Sequence, residues 1–144
     1  MNNPVWTPSQ KQIDRSQMTK FMKYVNLSRH LSLNNYDDLY SWSIQNIPSF
    51  WESVWKFCEV KYSTPYSEIV DDTSKMPGAK WFTGAQLNYA ENLLRFKDSK
   101  PAIIFKGENK NPSILTYNDL NKEVKKVAYA LRNMGVVKGD RVAG

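Results

Sequence analysis

Few side chains in this sequence have the type and spacing that chemistry requires. Asp71 and Asp72 are adjacent carboxylates, Cys58 is the one cysteine and His30 the one histidine. Paired carboxylates can hold a hard cation or pass a proton, but a cation site needs several oxygens. Asp71-Asp72 sits in turn-forming sequence with no third ligand beside it, so solvation or capping is its expected role. A single cysteine excludes an internal disulfide framework, and a single histidine leaves no histidine-rich metal site and no Cys/His nucleophile pair. Cys58 falls at helical spacing from Trp51, Val54 and Trp55 and reads as a small buried hydrophobe. His30 lies in polar, loop-like sequence and reads as a surface residue. The G-x-x-x-x-G-K-[ST] and G-x-G-x-x-G phosphate loops and the G-x-S-x-G nucleophile elbow are absent. No catalytic, cofactor-binding or metal-binding residue is assigned.

The elements that would position any chemistry are mostly helices. Thr7 caps a first helix, with Pro8 in its first turn and Gln10 closing a capping box. Met18, Phe21, Met22 and Val25 follow the i, i+3, i+4, i+7 spacing of one buried face. Leu27 to Asn35 reads as a loop and Tyr36 to Ile44 as a short helix with Leu39, Trp42 and Tyr40 inward. Ile47-Pro48-Ser49 restarts the chain in a further helix, whose Trp51, Val54, Trp55 and Cys58 stripe, broadened by Phe50 and Phe57, is core rather than cofactor site. Val60 to Pro77 reads as irregular, with Pro65, Asp71-Asp72 and Pro77-Gly78 as turn chemistry.

Trp81 and Phe82 are expected to turn inward between the bends at Pro77-Gly78 and Gly84. Asn88 caps the next helix and Glu91 reaches back from its third position, with Leu87, Ala90 and Leu94 on one face, widened by Tyr89 and Leu93. This stretch is expected to act as a clasp between the N-terminal helices and the rest of the chain. Pro101–Lys106 and Ser113–Thr116 are β-prone and form a hairpin across the loop Gly107–Pro112. The strongest periodicity lies beyond this hairpin. Thr116 caps a helix in which Tyr117, Leu120, Val124, Val127, Leu131 and Met134 recur at three- and four-residue steps, Asp119 favours its dipole, and Gly135 ends it in a left-handed turn. Gly139 lies in the tight turn Lys138-Gly139-Asp140, and Arg141-Val142-Ala143 reads as a strand start, which implies that the polypeptide continues.

Composition bounds the function. The 144 residues, 41% hydrophobic and 13% aromatic, suffice for one ordinary domain with a core. No apolar run approaches the roughly 20 residues that cross a bilayer, and no secretory pattern opens the sequence, so a reducing, cytoplasmic setting without a membrane partner is expected. The net charge of +6 raises the question of nucleic acid. Lys97, Lys100, Lys106, Lys110, Lys122, Lys125, Lys126 and Lys138 are spread out, without the clustering and aromatic interleaving of a nucleic-acid platform. A basic interaction module for nucleic acid or an acidic partner is the alternative from another class, and scattered lysines disfavour it.

Certain segments carry a resemblance. Thr116–Leu120, the helix with Ala128 and Leu131, and Gly135-Val136-Val137-Lys138-Gly139-Asp140-Arg141-Val142-Ala143 resemble the early segment of acyl-adenylate-forming enzymes. Trp6-Thr7-Pro8-Ser9, Phe50-Trp51 to Trp55, Met76–Phe82 and Leu87–Leu94 are similar to acetoacetyl-CoA synthetases, and the likeness runs from about Trp6 to the last residue. Acetyl-CoA synthetases, which share this N-terminal pattern, are the alternative; Asn92-Leu93-Leu94-Arg95-Phe96 favours the acetoacetyl branch. The resemblance implies an α+β fragment, mainly helical with one antiparallel hairpin and a strand start, within the large α/β N-terminal domain of such an enzyme. Residues 1–100 would be the helical extension and 101–144 the beginning of the AMP-binding domain. It also implies a two-step ligase using ATP, Mg²⁺ and CoA, whose phosphate loop and catalytic lysine map to no position here. Trp81, Phe82, Asn88, Glu91, Thr116, Gly135 and Gly139 are then packing or capping residues. The expected partner is the rest of the same polypeptide, and the segment alone is expected to be inactive and prone to self-association.

Overall fold

The computed structural model describes residues 5–143. They form two units that part between Leu87 and Asn88.

The first unit is built from four helices and a ribbon: α1 (Gln10–Arg15), α2 (Gln17–Arg29), α3 (Tyr36–Gln45), α4 (Ile47–Phe57), β1 (Glu68–Val70) and β2 (Trp81–Thr83). The first helix starts at Ser9 rather than Thr7, because the Ser9 N–H donates to Gln12 Oε1 at 2.8 Å and closes the capping box there. Ser16 breaks it from α2 and caps α2 by accepting from the Thr19 N–H at 3.1 Å. Helix α2 runs into the stretch read as a loop and ends on His30, which is left-handed (φ 55°). Asn26 makes this possible, since its side-chain amide donates to Leu33 O and accepts from Leu33 N–H at 2.9 and 2.8 Å, folding the return locally.

Phe21 and Val25 of α2 are buried against Leu39 of α3, and Trp42, Phe50, Val54 and Phe57 pack around them. The Phe21 ring meets Phe50 and Phe57 edge-on at 5.9 and 5.2 Å, a favourable aromatic geometry. Met18 and Tyr40, expected inward, are exposed at the rim of this core. Cys58 is also exposed. The helix stops at Phe57, so Cys58 is its C-cap and leaves the stripe. Val60 to Pro77 is not wholly irregular either: β1 pairs antiparallel with β2, Glu68 opposite Thr83 and Val70 opposite Trp81.

The second unit contains α5 (Tyr89–Leu93), β3 (Pro101–Phe105), β4 (Ser113–Thr116) and α6 (Tyr117–Asn133). β3 and β4 form the expected antiparallel hairpin, with Ile103 opposite Leu115, Ile104 opposite Ile114 and Phe105 opposite Ser113. Helix α6 packs on both strands. Helix α5 is only five residues long, and Leu87, Tyr89, Ala90 and Leu93 are exposed rather than sharing a covered face. Residues 141–143 are not part of a strand in the described chain.

Candidate functional site

The densest cluster of polar contacts lies where α2, α4 and the loop before β1 meet. Arg29, at the last turn of α2, donates from Nη2 to Glu52 Oε2 at 2.5 Å and to Ser49 O at 3.3 Å, and from Nε to Ser53 Oγ at 3.2 Å. Lys56 Nζ and the Tyr66 hydroxyl both donate to Glu52 Oε1, at 2.7 and 3.1 Å. Ser53 is fully buried and its hydroxyl donates to Ser49 O at 2.8 Å. The hydrogen bonds from Lys56 and then Arg29 outweigh partial burial and hold the Glu52 carboxyl down at about 2. Burial and the Glu52 acceptor push the Tyr66 phenol up, and the bond to Glu52 pushes the Lys56 ammonium up. A carboxylate with both oxygens engaged and so low a pKa does not accept a proton near neutrality. The cluster is a staple between α4, α2 and Tyr66, not an acid–base site.

Helix α4 presents a second ring face beyond this staple. Phe82 packs tilted against Trp55 with centroids 4.4 Å apart and meets Tyr66 at 5.3 Å, while Trp81 meets Trp51 edge-on at 6.0 Å. Trp81 does not turn fully inward: it is 42% exposed and Trp51 43% exposed. Phe82 is the better covered member of the pair. It adopts φ 48°, the left-handed region that a bulky residue occupies only when its surroundings hold it there. Both rings reach α4, Trp81 at Trp51 and Phe82 at Trp55, and the difference is in cover, since Phe82 also has the Tyr66 ring beside it.

The carboxylate pair is local in role. Asp71 accepts from the Lys80 N–H at 2.8 Å and from Lys75 Nζ at 3.0 Å, and Asp72 accepts from the Ser74 N–H and hydroxyl at 2.9 and 2.6 Å. These bonds, to the Lys80 backbone first for Asp71 and to the Ser74 hydroxyl first for Asp72, lower both carboxyls below their usual range. They shape the loop that joins β1 to β2. Among the described residues, no three His, Cys, Asp or Glu side chains converge as a metal site, and no helix is long and apolar enough to cross a membrane.

The second unit holds the remaining residues singled out by sequence, each at its own chain reversal. Asn88 Oδ1 accepts from the Glu91 N–H at 3.1 Å. Thr116 Oγ1 accepts from the Asp119 N–H at 3.2 Å and donates to Asp119 Oδ2 at 2.6 Å; this bond, then Lys122, lowers the Asp119 carboxyl. Gly135, at φ 83°, comes just after α6, and its N–H and that of Val136 return to Arg132 O and Leu131 O at 3.0 and 3.1 Å. That is a complete Schellman motif. Gly139, at φ 108°, takes the third position of the turn Val137–Asp140, which the Asp140 N–H closes on Val137 O at 3.2 Å. Asn121 has a role that no local pattern signals. Its amide donates to Leu94 O, Phe96 O and Tyr117 O and ties α6 to the chain after α5.

Comparison with known proteins gives the class. The family described as Acetyl-coenzyme A synthetase N-terminus matches residues 36–93. The acetoacetyl-CoA synthetase of Macaca fascicularis is 40% identical over 143 residues, 97% of this chain and 21% of that protein. The malonamoyl-CoA synthetase of Penicillium aethiopicum is 37% identical over 136 residues, 90% of this chain and 19% of that protein. The structure of acetoacetyl-CoA synthetase from Streptomyces lividans superposes on 98% of this chain and 22% of its own, with a TM-score of 0.84 and 35% identity. Over nearly its whole length the chain is similar to the N-terminal segment of acetoacetyl-CoA synthetases. It spans about a fifth of the length of the curated relatives it matches.

Proposed function

We propose that this chain is the N-terminal part of a cytoplasmic acid–thiol ligase that joins acetoacetate to coenzyme A through an acyl-adenylate formed from ATP. The observation that supports this most is the likeness to the Streptomyces lividans acetoacetyl-CoA synthetase over nearly the whole chain, at a TM-score of 0.84. In this reading residues 1–100 are a helical extension and residues 101–144 open the adenylating domain.

Among the described residues, the carboxylates of Glu52, Asp71 and Asp119 offer no open set of oxygens for Mg²⁺. Both Glu52 oxygens are taken by Arg29, Lys56 and Tyr66, Asp71 by Lys75 and the Lys80 N–H, and Asp119 by Thr116 and Lys122. No glycine-rich phosphate loop is present. The segment's own part is scaffolding, through the α4 ring face and the caps of the second unit, and the reacting groups belong to the polypeptide beyond it.

The test is AMP release by the whole polypeptide that carries this segment, with ATP, CoA and either acetoacetate, acetate or malonamate. Acetoacetate is expected to give the highest kcat/KM. A preference for acetate would move the protein to the acetyl branch. The likeness to a malonamoyl-CoA synthetase makes malonamate a second reading, and preference for it would replace acetoacetate as the substrate. Residues 1–144 alone are expected to release no AMP above background; release by them would overturn the scaffolding role.

A further inference from the structure

Basic residues that lie apart in the sequence are gathered along one line of the second unit. Lys122, Lys125, Tyr129 and Arg132 follow the i, i+3, i+7, i+10 spacing of one face of α6, and all four are exposed. The apolar side of the helix packs on β3 and β4, with Leu120, Ala128 and Leu131 less exposed. The segment before β3 extends the basic flank. The Tyr117 N–H donates to Lys100 O at 3.1 Å and the Asn118 N–H to Asp98 O at 3.0 Å, while the Asn121 amide holds Leu94 O and Phe96 O. Arg95, Lys97 and Lys100 are thereby laid beside the first turns of α6.

The nearby carboxylates do not neutralise this stripe. Asp119 pairs with Lys122 at 3.3 Å and Asp98 with Lys100 at 3.1 Å, and among the described residues no ion pair reaches Lys97, Lys125 or Arg132. Like charges three residues apart, such as Lys122 and Lys125, weaken a helix, and an anion brought from outside would offset that repulsion. The kind of anion follows from what surrounds the cations. A bilayer takes up a helix by its apolar side, which in α6 is committed to the strands. Single-stranded nucleic acid stacks on several open rings. Here the Phe96 ring already faces the Arg95 guanidinium at 4.9 Å and Tyr117 at 5.7 Å, which leaves Tyr129 as the one ring of the stripe. Carboxylates need only cations and hydrogen-bond donors, and α6 supplies these over about 15 Å between Lys122 and Arg132.

We infer that the α6 face of Lys122, Lys125, Tyr129 and Arg132, with Lys97 and Lys100 beside it, is a docking surface for an acidic peptide segment of a partner protein. Such docking goes beyond the proposed ligase activity and is independent of which acid the enzyme takes.

The test is fluorescence anisotropy of a labelled poly-L-glutamate peptide titrated with the whole polypeptide that carries this segment, at low ionic strength, where exposed charges are least screened. Saturable binding is expected. Reversing the two unpaired cations of the stripe, Lys125→Glu with Arg132→Glu, should weaken it about tenfold or more. Lys20→Glu with Lys23→Glu makes the same change in net charge at exposed positions of α2 and should alter binding by less than about twofold. Equal losses in the two pairs would mean that net charge alone attracts the peptide, and would overturn the inference. Absence of binding would overturn it too. So would tighter binding of an oligothymidylate or of phosphatidylserine vesicles that depends on Lys125 and Arg132, since the partner would then be a nucleic acid or a membrane. Lys125→Gln with Arg132→Gln removes the charges without adding carboxylates to the helix; it should weaken binding in the same direction, and it decides the matter if the glutamate pair does not fold.

Discussion

Residues 5–87 and residues 88–143 use the same materials in different ways. The first unit closes a core of its own: Phe21, Val25, Leu39 and Ser53 are buried, with rings of α2 and α4 around them. In the second unit no described residue is buried, although α6 is strongly amphipathic. Its order comes from local devices, the Asn88 and Thr116 caps, the Asn121 amide, and the Gly135 and Gly139 reversals. Charge divides in the same way. Residues 88–144 hold eleven of the twenty basic residues and six of the fourteen acidic ones, so most of the net charge of +6 lies there. The comparison teaches that a segment can be locally well specified and still lack the burial that stabilises it. Local bonds fix direction; apolar area removed from water supplies most of the free energy.

The largest effect expected from this contrast is in the core. Phe21→Ala should cost the first unit about 3–5 kcal/mol, measured by urea unfolding of the 144-residue chain, because it removes a buried ring with three aromatic partners. Val127→Ala on the exposed side of α6 should change stability by less than about 0.5 kcal/mol. Equal costs would break the comparison.

Next is acid. Glu52 has a folded pKa of about 2, below its ordinary value of 4.5. Its contribution is therefore fully present above about pH 4.5 and is lost as pH falls toward 2. The linkage amounts to about 3 kcal/mol at most. Unfolding of the first unit followed from about pH 6 to about pH 3 should show this loss, and Glu52→Gln should flatten it. A profile unaffected by Glu52→Gln would mean that the staple does not carry the acid dependence.

Smaller differences sharpen the reading of the α4 ring face. Phe82→Ala should cost about 2–3 kcal/mol and Trp81→Ala about 1–2 kcal/mol, in that order because Phe82 packs on both Trp55 and Tyr66 and Trp81 is half-exposed. The reverse order in thermal unfolding would mean that Trp81 is the anchor. The smallest expected cost is in the second unit, where Thr116→Ala should remove about 1 kcal/mol of α6 stability by circular dichroism. If it instead costs as much as Phe21→Ala, caps carry more of this segment than burial does.

The parts legible in the sequence are those decided within one or two turns of chain. Helix α6, its Thr116 cap and its glycine ending come from spacing and residue type, as does the β3–β4 hairpin across its turn-rich loop. The features that escaped depend on partners distant in sequence. The β1–β2 ribbon pairs Glu68 with Thr83 across a loop shaped by Asp71, and no periodicity within three residues announces such a strand. Arg29 and Glu52 meet across 23 positions, so only the Glu52–Lys56 spacing hinted at the staple. Helix α2 outran its expected end because Asn26 bonds to Leu33. Periodicity placed Cys58 on a stripe but did not show that the helix stops one residue earlier. For Trp81 and Phe82, sequence named the rings, and only their distant partners Trp51, Trp55 and Tyr66 separate the more exposed ring from the better covered one.

Arg29 has a consequence for how natural variants of this protein are interpreted. One planar guanidinium serves a carboxylate, a carbonyl and a hydroxyl at once. A lysine at position 29 keeps the charge but offers a single nitrogen, which cannot reach all three in a fixed fork. Substitution scales that score arginine and lysine as near-synonyms would pass such a variant as harmless, while the buried Ser53 hydroxyl would lose its donor.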